Sequence, residues 1–151
     1  PPAIYHNGKT GAGFTLIELV ITVAIIGFLA SLGLVMSFDV YRSYSFRTER
    51  DNLVSLLHKS RQQSLTNVSE APHGLLISAD SYLLFTGSSA ATRVQSLDEY
   101  IPASPSVTKS GISEVVFSQL SGESTASGTI ILSTSNRSST ITLNYEGQIT
   151  W

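Results

Sequence analysis

The sequence predicts an α+β chain: a long N-terminal α-helix, membrane-spanning in its first half, packed on a C-terminal antiparallel β-sheet domain. Three observations carry this reading. From Phe14 to Phe38 the chain passes through 25 positions filled with Leu, Ile, Val, Phe, Ala, Gly, Ser, Thr and Met, and Glu18 is the one ionisable residue among them. No proline stands between Pro2 and Pro72, so nothing in that interval forces a helix to stop. Beyond Pro72 the pattern becomes short runs rich in branched apolar residues, punctuated by Gly, Ser and Asp, as in strands and turns.

Taken in order, residues 14–38 form a run longer than the roughly 20 apolar residues that cross a bilayer core. A secretory signal is a poorer fit, because its apolar core is about 7–15 residues with the cut beyond it. Residues 39–68 continue the helix in amphipathic form. Phe46, Leu53, Leu57, Ser64 and Val68 recur near helical spacing with Leu56 beside them, while Arg47, Arg50, Asp51, Lys59 and Arg61 fall largely elsewhere. One helix from Phe14 to about Asn67 would be roughly 80 Å long. Leu53 and Leu57 are the expected helix–sheet core. Gly27 and Gly33 are its weak points and also the places where another helix could approach closely.

Residues 69–151 are the β domain. His73–Ser78 and Ser81–Thr86 read as a hairpin about Ala79-Asp80. Residues 87–113, with Pro102 and Pro105, read as a loop holding at most one short strand at Arg93–Leu97. Strands follow at Glu114–Phe117, Thr129–Ser133, Thr140–Asn144 and Gln148–Trp151; the second and third of these alternate branched apolar with polar residues.

Glu18 is the chemically unusual residue. An isolated carboxylate in hydrocarbon costs on the order of a few kcal/mol, so it calls for a partner. No Lys or Arg follows it before Arg42. The nearest candidate is an amine created at Phe14 by a cut after Gly13, either about one helical turn away or on a neighbouring chain. Lys9 before the run favours a cytoplasmic N-terminus, although Arg42 and Arg47 beyond it pull the other way. The chain has no initiator Met, which leaves room for residues ahead of Pro1.

The run Gly13-Phe14-Thr15-Leu16-Ile17-Glu18 followed by an apolar helix closely resembles the class III signal of type IV pilins and type II secretion pseudopilins. The resemblance implies a leader, residues 1–13, that a prepilin peptidase removes by cutting between Gly13 and Phe14. It also implies N-methylation of Phe14 and a role for Glu18 in filament assembly. The implied protein is a non-enzymatic structural subunit without a cofactor. It waits in the bacterial inner membrane as a single-pass protein, then enters a periplasmic pseudopilus or a surface pilus. Its implied partners are other pilin or pseudopilin subunits, the peptidase and an inner-membrane assembly platform. Leu53…Leu57…Arg61, the Gly74 strand and the block from Val116 to Ile149 are similar to GspH/FimT-type minor pseudopilins. Two departures stand out: zero cysteines excludes the C-terminal disulfide of many major pilins, and Val35 stands where many of them carry a helix-melting proline. The alternatives are a major pilin of a surface fibre, or a membrane-anchored binding domain that does not polymerise.

Other chemistry is sparse. His6, His58 and His73 show no ligand spacing and read as surface histidines. Asp98 and Glu99 are the calcium candidates, but such a site wants several more oxygen ligands, so solvated loop charges are the plainer reading. There is no Gly-x-Ser-x-Gly and no phosphate loop. Asn67-Val68-Ser69 and Asn136-Arg137-Ser138 are chance matches to a glycosylation sequon. Net charge is −2, and from Glu114 onward Arg137 is the one Lys or Arg against Glu114, Glu123 and Glu146. Such a surface does not neutralise phosphates, so nucleic acid is not an expected partner.

Overall fold

The computed structural model describes residues 13–151, and of residues 33–42 the backbone alone. Helix α1 runs from Leu16 to Leu65. It starts there because Thr15 caps it: the Thr15 hydroxyl accepts the Glu18 amide N–H at 3.3 Å, and its carbonyl accepts that of Leu19 at 3.2 Å. Thr-x-x-Glu is the sequence form of a capping box, and an acidic residue in the first turn also suits the helix dipole. The helix ends because Asn67 turns left-handed (φ 57°), a conformation that Asn tolerates better than most side chains. A 3₁₀ turn, Val68–Glu70, leads into the β domain. The apolar start at Phe14 and the end near Asn67 are thus each trimmed by two residues. Val68, expected on the buried stripe, lies past the helix end and is exposed.

The chain divides into two compact units at Tyr41–Arg42. Among the described residues no helix is long and apolar enough to cross a membrane. The side chains described in the first unit stop at Leu32, and positions 33–38, on which the expected span also drew, lie outside them.

In the second unit, eight strands follow α1: β1 His73–Ile77, β2 Ser81–Thr86, β3 Glu99–Pro102, β4 Thr108–Gly111, β5 Glu114–Phe117, β6 Gly128–Ser133, β7 Ser138–Leu143 and β8 Ile149–Thr150. They form two four-stranded antiparallel sheets, in the orders β3-β2-β1-β5 and β4-β6-β7-β8. The antiparallel strands expected of the β domain are thus divided between two sheets. The region read as a loop, 87–113, contains β3 and β4, while Gln95–Leu97 within the expected short strand is a 3₁₀ turn. Both missed strands are sheet edges with mostly exposed side chains, so they carry no apolar alternation. Pairing with β2 and β6, rather than propensity, makes them strands.

Both sheets and the second half of α1 share one core. Phe46, Leu53, Val54, Leu56 and Leu57 from the helix join Leu75, Tyr82, Val115, Phe117, Ile130, Leu132, Ile141 and Leu143. A smaller cluster of Leu83, Phe85, Ala90 and Val116 covers the other face of the first sheet. Hence β1 and β2 read as continuous apolar runs rather than alternating ones. Gly74 allows this second layer, because a Cβ there would collide with the Phe85 ring. Ser64, fully buried, ties the helix end to the sheet: its hydroxyl donates to the Phe117 carbonyl and accepts the His73 amide, both at 2.9 Å.

His73 is a correction to the surface reading, since it is 2% exposed. Burial holds its imidazole below the usual histidine range, with the Ala71 carbonyl partly opposing. The unfolded chain therefore takes up a proton near pH 6.5 that the folded chain does not. Stability from this group is present above about pH 6.5 and is lost as pH falls from there through the folded value. We expect the melting temperature to decline between pH 7.5 and 5, and His73→Gln to flatten that decline. Equal slopes for parent and variant would remove His73 as the source.

Candidate processing and assembly site

Gly13 and Phe14 precede the helix, both exposed, with Phe14 at 85%. Phe14 is one residue before the cap, so a cut after Gly13 would free an amine at the very start of α1. Glu18 stands at the third helical position, on the first turn. Its amide is held by Thr15, and among the described residues its carboxylate has no hydrogen bond or ion pair. The cap thus places the carboxylate within a turn of position 14.

From Leu16 to Leu32 the helix is apolar all round and exposed all round, with Leu, Ile, Val and Phe on every side. A helix of that kind is stable in water only when something covers it. Its hydroxyls need no outside partner. Thr22 donates to the Leu19 carbonyl at 2.9 Å, and Ser31 to that of Phe28 at 2.7 Å. Glu18 is therefore the one strongly polar side chain an apolar covering must answer. Gly27 lies in this surface with open space above its Cα. Gly33 is helical, and its surroundings lie outside the described residues, as do the leader positions 1–12.

Residues 9–34 match the family model of the prokaryotic N-terminal methylation motif. This is the type IV pilin and pseudopilin signal, and it supports a place in the pilin superfamily. The motif implies processing by prepilin peptidase and assembly with other pilin subunits. It covers the N-terminal part of the chain alone, on the same residues as the geometry above. No curated protein and no solved structure matches the chain.

In the second unit, Leu53 and Leu57 of α1 are fully buried in the shared core. The calcium candidates are differently employed. Asp98 accepts from the Arg93 guanidinium at 2.8 Å, and Glu99, on β3, pairs with Lys59 at 2.6 Å. Among the described residues no group of three or more His, Asp or Glu side chains is placed to hold a metal ion. His58 packs edge-on against Trp151, with ring centroids 5.9 Å apart. Arg61 crosses from the helix to two loop carbonyls, those of Gly122 (3.1 Å) and Glu146 (3.2 Å). Gly147 (φ 73°) lets that second loop pass close by, since a Cβ would strike the Gly122 carbonyl.

Sequence reasoning passed over Glu49, Tyr82 and Lys109, which meet inside the second unit. Glu49 is 5% exposed and accepts from the Tyr82 hydroxyl at 2.7 Å. Burial, and then the Glu49 carboxylate, raise the Tyr82 pKa above the usual tyrosine value. One signal was available: Glu49 falls on the 46–53–57–64 stripe and could have been read as a buried carboxylate with a distant partner.

Proposed function

We propose that this chain is a structural subunit, a minor pilin or pseudopilin, of a type II secretion pseudopilus or a type IV pilus. The observation that carries the reading is the first turn of α1: a Gly13-Phe14 junction, a Thr15 cap and a lone Glu18 carboxylate at the head of a helix apolar on every side. Before assembly, lipid covers that helix, which sits as a single span in the inner membrane with its N-terminus in the cytoplasm. In the filament, the helices of neighbouring subunits cover it. The part played is structural rather than catalytic, and the β domain supplies the contacts that distinguish this subunit from others. The GspH/FimT-type assignment rests on the resemblance of the helix stripe and the C-terminal strands.

The mechanism follows from electrostatics. In lipid, an unpaired Glu18 is costly. Cleavage after Gly13 creates a Phe14 amine at the same depth. Two chains brought together can place the amine of one beside the carboxylate of the other, converting two isolated charges into a pair in low dielectric, where attraction is strong. N-methylation keeps the amine cationic.

Protein recovered from a peptidase-positive cell is expected to begin at Phe14, as read by N-terminal sequencing, with intact mass reporting a single methyl group. An N-terminus between Leu29 and Asp39, or an uncut leader, would sink the proposal.

A further inference from the structure

We infer that Glu49, Tyr82 and the main-chain carbonyls of Ala79, Ser104 and Val107 form a cation cage shaped for one primary ammonium, which Lys109 permanently fills. The Lys109 Nζ donates to the Ala79 carbonyl at 3.0 Å, to that of Ser104 at 3.1 Å and to that of Val107 at 3.2 Å. An ammonium has three protons, and three carbonyls receive them. The Glu49 carboxylate supplies the opposite charge at 3.4 Å, while the Tyr82 ring lies beneath, 5.6 Å from Nζ to its centroid. Both charged side chains are closed off from solvent, Lys109 at 4% exposed and Glu49 at 6%.

This exceeds an ordinary ion pair in two ways. Four of the surrounding groups are oxygens turned inward, which repel one another unless a cation lies between them. They also come from separate parts of the fold: Glu49 from α1, Ala79 from the β1–β2 turn, and Ser104 and Val107 from the β3–β4 connection, with the cation carried on β4. The two sheets and the helix are therefore joined through one nitrogen, in a chain with no cysteine for a disulfide. A planar guanidinium could not direct three protons at these three carbonyls, so the cage selects an ammonium over an arginine. The inference is independent of the filament reading.

The test is chemical rescue of full-length Lys109→Ala in detergent. The substitution leaves a gap the shape of n-propylammonium. We expect its melting temperature to fall by more than about 10 °C, as for the loss of one member of a buried pair. n-Propylammonium should restore most of the loss saturably, and 1-propanol, of similar size but uncharged, should not. Equal effects of the two would overturn the cage. If Lys109→Ala does not fold under any condition, Lys109→Met decides alone, because it keeps the apolar stem and removes the charge. A parent-like melting temperature for Lys109→Met overturns the proposal. A fall of that same order, with faster amide exchange over 103–107, upholds it.

Discussion

Leu57→Asp is expected to destabilise the β domain by roughly 3 kcal/mol or more, a large part of the roughly 5–15 kcal/mol that holds an ordinary domain folded. Leu57 has no exposed surface and belongs to the cluster shared by α1 and both sheets. An aspartate there loses the apolar contacts and, in addition, must either bury an unpaired carboxylate or take up a proton. The cation one helical turn away, Arg61, is already engaged with the Gly122 and Glu146 carbonyls. Leu57→Ala isolates the first part, removing contacts and leaving a cavity, at about 2–5 kcal/mol. Lys59→Ala is the surface control: its pair with Glu99 is about half exposed on both sides, and such pairs contribute at most about 1 kcal/mol. Thermal unfolding of the three full-length variants in detergent gives the ranking. If Leu57→Asp melts with the parent, the helix is packed on a different face from the one described.

Glu18→Ala should leave membrane insertion and cleavage intact yet reduce recovery in sheared filaments by at least about tenfold, the effect of roughly 1.4 kcal/mol in an equilibrium. Removing the carboxylate makes the helix more apolar, so insertion does not suffer. The start of the helix also survives, because Thr15 is bonded to the Glu18 amide rather than to its side chain. What disappears is the charge that answers a neighbour's Phe14 amine. Glu18→Gln retains size and hydrogen bonding without the charge, so it should behave like Ala if charge is what matters. Two measurements on each variant, its intact mass and its yield in the filament fraction, separate the possibilities. An uncleaved product would mean that Glu18 is read by the peptidase. Normal mass with normal yield would remove the assembly mechanism.

Much of the architecture could be read from local pattern. The long helix follows from an apolar run, then an amphipathic stripe, with no proline between. The stripe's phase at Phe46, Leu53, Leu57 and Ser64 is the face that the sheets bury. The hairpin at Ala79-Asp80 and the strands at β5, β6 and β7 carry their own alternation or turn residues. β3 and β4 do not, being exposed edges whose state depends on neighbours distant in sequence. His73 misled for a related reason: a lone histidine is usually exposed, and it is buried here because it stands on the face of β1 that carries Leu75 and Ile77 into the shared core, beside the helix end where Ser64 bonds its amide.

By itself, the sequence determined the features that act within a few residues: the capped first turn with Thr15 and Glu18, the Gly13-Phe14 junction ahead of it, the apolar helix, and the periodicities of helix and strand. Tertiary structure alone decided how the strands divide into two sheets and which polar side chains are buried. Glu49 and Tyr82 are 33 positions apart, and Lys109 is more distant still from the helix it binds. A charge can be buried only where remote groups converge to satisfy it, and no local pattern records which groups those will be.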